Sequence, residues 1–175
     1  MGSFYLMNKR GQAWSLDLLI GAFLFTVALS VFYFSILNSS NNLNEAIDLL
    51  SYDGRSISKN ILSEGSPSDW SSSNVIQIGV LDNGKISETK LEAFYDLANA
   101  DYARTKLLFN TRYDYYFFLD ANITFNSTIV DGIGKPGITR DNVSQVDIKN
   151  VIRVDRISVY ENKIMGATLF VWEND

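Results

Sequence analysis

Residues 18–37 read LLIGAFLFTVALSVFYFSIL and carry no formal charge. A helix rises about 1.5 Å per residue, so about 20 residues span a hydrocarbon core of roughly 30 Å. The few polar side chains in this stretch are hydroxyls, which can bond to carbonyls of their own helix. A buried helix of a soluble protein would instead show a polar stripe. The stretch therefore predicts one membrane-spanning helix, Leu18–Leu37, near the N-terminus.

The residues on either side of this helix predict its orientation. Lys9 and Arg10 precede it, whereas residues 38–42 are Asn and Ser. Positive charge favours the cytoplasmic side, so we expect the N-terminus inside and the chain after about Asn38 outside. The apolar run is longer than that of an ordinary signal peptide and no small-x-small cleavage site follows it. We therefore expect the helix to remain on the mature protein.

The amino-acid composition excludes several classes of function for the domain that follows the membrane helix. The chain has 175 residues, enough for one small domain beyond the membrane helix, and a net charge of −5, which argues against nucleic acid as a partner. It contains no cysteine and no histidine. Thiolate nucleophiles, disulfides, Cys/His zinc sites and Ser-His-Asp triads are therefore excluded. We expect no enzymatic activity, no metal and no cofactor.

The residues before the helix carry a family resemblance. The sequence Lys9-Arg10-Gly11-Gln12 followed by an apolar helix resembles the class III signal peptide of archaeal type IV pilins and pilin-like proteins. The resemblance implies that a prepilin peptidase removes residues 1–11 by cleaving between Gly11 and Gln12. It also implies a homopolymer formed through the N-terminal helices, built by pilus assembly machinery from subunits held in the membrane.

One residue departs from the family pattern. Pilins usually have an acidic residue a few positions beyond the cut, whereas this chain has Leu16 there and the acid follows as Asp17. The resemblance implies either that Asp17 offsets the new α-amino group of a neighbouring subunit after a small register change, or that the chain is a minor or pseudopilin-like subunit. A carboxylate favoured by the dipole at the helix N-terminus explains Asp17 equally well. The implied filament-core residues are Asp17, Leu18, Phe23, Phe25, Leu29, Phe32 and Phe34.

Apolar spacing predicts that the helix continues beyond the membrane. Apolar or small residues recur every three or four positions, at Leu43, Ile47, Leu50, Gly54, Ile57 and Ile61. Gly65 and Pro67 then provide a stop signal, so we predict one helix over residues 12–64. The alternative is two helices broken at residues 38–42 or at Asp53-Gly54, because Asn and Gly are poor helix formers.

The first part of the outer domain, residues 65–175, contains sequence patterns of a strand, a turn and two helices. Val75–Val80 reads as a short strand and Asp82–Gly84 as a tight turn. Ser87 is a predicted N-cap for a helix, and a second short helix covers about residues 102–109. The predicted buried side of the first helix is Leu91, Phe94, Tyr95 and Leu97.

Two hairpins are predicted from aromatic and β-branched runs. The first pairs Tyr113–Leu119 with Ile123–Val130, and the second pairs Val151–Tyr160 with Ile164–Trp172 around a turn at residues 161–163. The predicted fold class is α+β, with a long N-terminal hydrophobic helix packed on a C-terminal antiparallel sheet. The resemblance implies the ladle shape of a type IV pilin.

Two loop motifs superficially suggest ligand sites. Residues 131–137 are glycine-rich but lack the Gly-Lys-Ser/Thr ending of a phosphate loop, which favours an exposed loop. Asp82-Asn83-Gly84 with Glu88 offers oxygen ligands at a spacing that does not fit an EF-hand, which favours a β-turn. Neither motif nominates cofactor-binding or metal-binding residues.

Two further patterns concern the surface. Asn122, Asn126 and Asn142 begin glycosylation tripeptides in the predicted outer domain, and Asn38 begins a fourth where a sugar would crowd a filament core. The aromatic residues favour a sheet core over an adhesive surface. Both faces of Tyr113–Leu119 are apolar, so one face meets the long helix and the other is expected to contact a neighbouring subunit.

These patterns together favour a structural subunit of an archaeal type IV pilus-like filament at the cell surface, reached through the cytoplasmic membrane. The alternative is an uncleaved single-pass membrane protein whose extracellular domain binds a partner. An exported enzyme ranks third.

Overall fold

The computed structural model describes residues 9–121, 123–125, 128–143 and 148–174. The chain separates into two compact units, Met1–Ala46 and Ile47–Asp175. Helix α1 begins at Lys9 and ends at Ile61 without a break at residues 38–42 or at Asp53-Gly54. The apolar N-terminal helix and the antiparallel sheet of the second unit make the fold α+β.

The end of α1 lies within the second unit and buries one face. Leu50, Gly54, Ile57 and Ile61 are buried there, as the spacing predicts. Ile47, which lies on the same face by spacing, is 44% exposed. Gly54 lies against the sheet so closely that an added Cβ would come within 2.3 Å of the Ile152 side chain. A small residue is therefore needed at this crossing.

The predicted strand Val75–Val80 is not a strand. Val80 N–H donates to the Ile61 carbonyl at 2.8 Å, and the Ile76 and Gln77 amides donate to the Ser66 carbonyl at 2.9 and 3.1 Å. These backbone groups are thus satisfied by the last residue of α1 and by the loop after it, with a bridge between Ser66 and Gln77, rather than by a neighbouring strand. The prediction failed because extended, apolar backbone can pair with a loop as well as with a sheet.

The predicted tight turn and both predicted helices are confirmed. Strands β1 (Leu81–Asp82) and β2 (Lys85–Ile86) flank Asn83 and Gly84, which have φ of 49° and 76°. This is the geometry of a two-residue hairpin. The two helices are α2 (Glu88–Ala100) and α3 (Tyr102–Leu108). The buried side chains of α2 are Lys90, Leu91, Phe94, Leu97 and Ala98, with Tyr95 half-buried.

The remaining strands are β3 (Asp114–Leu119), β4 (Ile123–Phe125), β5 (Thr128–Val130), β6 (Ile133–Gly134), β7 (Ile148–Tyr160) and β8 (Lys163–Asn174). The main sheet has the order β6-β3-β8-β7, and every pair in it is antiparallel. The β7–β8 hairpin confirms the second predicted hairpin, including its turn, where Glu161 and Asn162 have φ of 48° and 60°.

The first predicted hairpin is wrong. β3 pairs with β8 and β6, while Ile123–Phe125 and Thr128–Val130 pair only with each other. All six residues of β3 are buried, which is the pattern of a central strand. A central strand needs a partner on each edge, and the long β8 offers six paired residues where β4 has only three.

The sheet is covered on both faces by this chain itself. Tyr115, Phe117 and Leu119 face the core that includes α1 and α2. Tyr116 and Phe118 on the opposite face are 2% and 8% exposed, in a second cluster with Val143, Trp172, Ile138 and Phe170. The prediction that this second face contacts a neighbouring subunit is therefore wrong, whereas the prediction that the aromatic residues fill the core is confirmed.

The glycine-rich segment 131–137 is more than an exposed loop. It contains β6, in which Ile133 is buried. A Cβ on Gly132 would lie 2.5 Å from the Tyr116 ring, and one on Gly134 would lie 2.3 Å from the Tyr115 carbonyl oxygen. The glycines therefore permit close packing on β3, and within residues 131–137 the exposed residues are Asp131, Pro136 and Gly137.

Candidate assembly surface

The candidate functional site is the apolar surface of α1. Residues Leu16–Leu37 are a stretch of 22 residues within α1 that is long and apolar enough to cross a membrane. Every one of these side chains is exposed in the chain. We call Leu16–Leu37 the apolar segment. A helix that is apolar on all sides is stable only when something other than water covers it.

The six apolar residues predicted for the filament core lie on two opposite faces of the apolar segment. Helical geometry places Leu18, Phe25, Leu29 and Phe32 along one face and Phe23 and Phe34 along the other. Their exposed fractions range from 50% for Leu29 to 77% for Leu18. The segment therefore offers bulky apolar side chains to neighbours on more than one side.

Two hydroxyl side chains of the apolar segment bond to carbonyls of their own helix. Thr26 Oγ1 donates to the Ala22 carbonyl at 2.8 Å, and Ser30 Oγ donates to the Thr26 carbonyl at 2.8 Å. These bonds confirm the prediction for both hydroxyls. Neither hydroxyl needs water, so both are compatible with lipid or with the interior of a helix bundle.

The predicted processing residues, Lys9, Arg10, Gly11 and Gln12, are helical and open α1. Cleavage between Gly11 and Gln12 stays a prediction. Asp17 is exposed near the start of the apolar segment, and its role in assembly stays a prediction.

The candidate glycosylation residues fall in the second unit. Asn122 and Asn126 lie outside the described residues. Asn142 lies in a turn, where its Oδ1 accepts from the Thr139 amide at 2.6 Å and its Nδ2 donates to the Gly137 carbonyl at 3.0 Å. A sugar on Asn142 would be attached to Nδ2, the same nitrogen that donates a hydrogen bond within this turn.

The second unit contains a buried ionic centre that the sequence did not reveal. Asp114 at the start of β3 accepts from Lys106 Nζ at 2.9 Å, from Lys135 Nζ at 2.7 Å and from Asn174 Nδ2 at 2.6 Å. Tyr102 Oη donates to the same carboxylate at 3.2 Å. The partners come from α3, from the segment after β6 and from the end of β8, so no local sequence signal joins them.

The ionic centre has a stabilising rather than a catalytic geometry. Burial would raise the pKa of Asp114, but the hydrogen bonds from Lys135, Lys106 and Asn174 outweigh it and hold the pKa at about 2. A carboxylate with this pKa and with every oxygen occupied is a poor general base near neutral pH. The centre therefore ties distant segments together.

A second cluster of polar side chains covers the face of the sheet that carries Tyr116 and Phe118. Arg140 donates to the Leu119 carbonyl at 2.8 Å, lies 3.4 Å from the Asp131 carboxylate and stacks 4.6 Å from the centre of the Phe118 ring. Tyr116 Oη donates to Asp131 Oδ2 at 2.9 Å. Burial and this carboxylate raise the pKa of Tyr116, which keeps the phenol neutral.

Within the described ranges, no group of three or more acidic side chains is placed to hold a metal ion. The turn at Asp82-Asn83-Gly84 is a β-turn, as predicted. No family model, curated protein or solved structure matches this chain. The function proposed below therefore rests only on the residues of this chain and their geometry.

Proposed function

We propose that this protein is a structural subunit of an archaeal type IV pilus-like filament at the cell surface and has no catalytic activity. The observation that supports the proposal most strongly is the apolar segment, exposed on all sides and preceded by Lys9-Arg10-Gly11-Gln12. In this proposal a prepilin peptidase cuts after Gly11. The assembly machinery then moves the apolar segment from the membrane into a bundle of identical helices.

The energetics favour such a bundle over exposure to water. Burying a Leu or Phe side chain contributes about 1.5–3 kcal/mol relative to leaving it in water. The residues on the two opposite faces, among them Phe25 and Phe34, can be buried together only if neighbours approach from both sides. Lipid meets this need before assembly, and several neighbouring helices meet it afterwards.

The second unit fits the part of a subunit that faces outward. It buries its own aromatic core, and its polar groups are engaged in structural hydrogen bonds such as those to Asp114. In this proposal it forms the outer layer of the filament, and the chain has the ladle arrangement of a pilin. Candidate glycosylation at Asn122, Asn126 and Asn142 belongs to this outer layer.

The decisive test is the N-terminal residue of the native protein, measured by intact mass and terminal sequencing of surface material. We expect Gln12. A Gly11→Leu variant should accumulate as the uncut precursor, because a bulky residue replaces the glycine at the cleavage position. Gly21→Leu is the matched control: a Cβ at Gly21 meets no atom within 4 Å, and this variant should be cut normally.

An intact N-terminus that is indifferent to Gly11→Leu would contradict the proposal. The chain would then be the alternative, a single-pass protein whose helix serves only to anchor an extracellular binding domain. Lipid alone would cover the apolar segment in that case.

A further inference from the structure

The second unit contains an open depression that is lined by positive charge. Its volume is about 590 Å³, and Arg55 and Lys59 of α1 line it together with Arg156 of β7. All three side chains are exposed. None of the described residues around this depression is acidic. We call it the basic depression.

The cations of the basic depression have no counterions among the residues that the structure describes. None of the three forms an ion pair, whereas four other cations of the same unit each pair with an aspartate. No acidic residue stands three or four positions from Arg55 or Lys59, where a helix would bring it into reach. Arg55 and Lys59 are themselves four positions apart, and like charges at that spacing destabilise a helix. A bound anion would offset this repulsion.

Arg156 is positioned to donate hydrogen bonds into the basic depression. Its Nε lies 3.4 Å from the hydroxyl of Ser58, which is 3% exposed. The two terminal nitrogens of Arg156 have no hydrogen-bond partner within the described part of the chain. A guanidinium presents such N–H groups as a planar fork that matches two oxygens of a carboxylate, sulfate or phosphate. The side chain is therefore suited to hold an oxyanion.

An exposed aromatic ring lines the same depression. Tyr52 lies one helical turn before Arg55 and is 72% exposed. Its hydroxyl has no hydrogen-bond partner among the described residues. The face of an aromatic ring packs well on the C–H groups of a sugar ring, and a phenol hydroxyl can bond to sugar hydroxyls. The basic depression thus offers a flat apolar surface beside donors for an oxyanion.

We propose that the basic depression binds an acidic sugar, with the sugar ring against Tyr52 and its carboxylate, sulfate or phosphate on the three cations. This binding activity goes beyond the proposed function. It needs only the fold of the second unit, so it does not depend on how the N-terminus is processed. A native protein that begins at Met1 would overturn the proposed function and leave this site unchanged.

The charge of the protein favours an acidic sugar over a nucleic acid. Each nucleic-acid strand carries one negative charge about every 3.4 Å, and proteins that bind it neutralise many phosphates with an extended basic surface. This chain has three cations at one depression and a net charge of −5, which repels so dense a polyanion. A sugar chain with one oxyanion on each ring carries fewer charges over the same length.

The direct test is binding of labelled oligosaccharides to the full-length protein in uncharged detergent micelles, measured by fluorescence anisotropy. The probes are an oligogalacturonate, a sulfated dextran oligosaccharide, the same dextran without sulfate, and a single-stranded DNA of equal length. We expect an acidic oligosaccharide to bind, the tighter of the two to identify the oxyanion, and the affinity to fall as salt screens the exposed charges. Failure of both acidic oligosaccharides to bind, equal binding of unsulfated dextran, or tighter binding of the DNA would overturn the proposal.

Neutral substitutions then test the cations of the basic depression. Arg55→Gln with Lys59→Gln should raise the Kd for the acidic oligosaccharide at least about tenfold, because two charged hydrogen-bond donors are lost. Both positions are exposed and Gln is a good helix former, so the fold should be kept. The matched control is Lys149→Gln with Lys163→Gln, which changes the net charge equally at exposed positions outside the depression. An equal loss in both double variants would show general attraction by charge and overturn the site.

Substitution of Tyr52 tests whether the ligand is a sugar. Tyr52→Ala should raise the Kd for the acidic oligosaccharide at least about fivefold, because the ring that packs on the sugar is removed. Tyr52→Phe keeps the ring and should bind within about twofold of the natural protein. Natural affinity in Tyr52→Ala would mean that the depression holds an anion without a sugar ring, and this result would overturn the proposal.

Discussion

Phenylalanine has opposite surroundings in the two units. Phe25 in the apolar segment is 66% exposed, whereas Phe94 of α2 is fully buried against Phe109 and Tyr115. The second unit satisfies its apolar residues within the chain. The apolar segment has no such cover and depends on lipid or on other molecules. The second unit is therefore stabilised by contacts within the chain, whereas the apolar segment needs contacts with lipid or with other molecules.

The largest expected effect comes from shortening one phenylalanine side chain to alanine in each unit. Phe94→Ala should lower the free energy of unfolding of the second unit by about 4 kcal/mol, because it removes a buried ring and leaves a cavity. Phe25→Ala should change the same free energy by less than about 0.5 kcal/mol. Denaturant unfolding of the full chain in detergent measures both. Equal effects would show that the comparison is mistaken.

A smaller effect tests whether the second unit is held by its own ionic centre. Asp114→Asn should cost about 2 kcal/mol at neutral pH, because two lysines lose a charged partner. The folded state holds the pKa of Asp114 at about 2, below its ordinary value of 3.8, so the ionised carboxylate stabilises the fold. This contribution is complete above the unfolded pKa and is lost as the pH falls through it towards 2.

Measurement of the unfolding free energy between about pH 6 and pH 2 checks the sign. The natural protein should lose more stability on acidification than the Asp114→Asn variant does, in detergent and in lipid alike. Asp69→Asn, at an exposed position, is the control and should keep the natural pH profile. A profile that changes between detergent and lipid would mean that the second unit depends on its surroundings too.

The smallest expected effect concerns two helix caps in the second unit. Asp101 caps α3 by accepting from the Arg104 amide at 3.0 Å, whereas Ser87 at the start of α2 makes no side-chain cap bond. Asp101→Ala should therefore cost about 1 kcal/mol and Ser87→Ala less than about 0.5 kcal/mol. Thermal unfolding resolves the two. The reverse order would refute the assignment of stability to these local bonds.

Local patterns predicted the parts of the fold that local contacts determine. The spacing of Leu50, Ile57 and Ile61 identified the buried side of α1, and turn residues identified the β7–β8 hairpin. The partner of β3 was missed, because Asp114 pairs with Trp172 across a separation that no sequence period reports. The segment Val75–Val80 was missed because its backbone groups bond to the loop after α1.

The polar and apolar features of the candidate site also differ in how far the sequence predicts them. The apolar segment was visible from composition alone, and its exposure agrees with that prediction. The carboxylate of Asp114 and the cations of Lys106 and Lys135 meet only after folding, so the ionic centre was not predictable. The same is true of the depression lined by Arg55, Lys59 and Arg156, since Arg156 joins the other two only when β7 packs against α1.

The position of β8 has a consequence for the timing of folding. This strand lies between β3 and β7 although it follows both in the chain. The sheet therefore cannot close before residues 163–174 are present, and Asp114 cannot bind Asn174 until the same moment. In the proposed route of export, translocation of this final strand is the step that permits the domain to fold. If the proposed function is correct, the outer part of the chain crosses the membrane as an open polypeptide, which is the form that an export channel can accept.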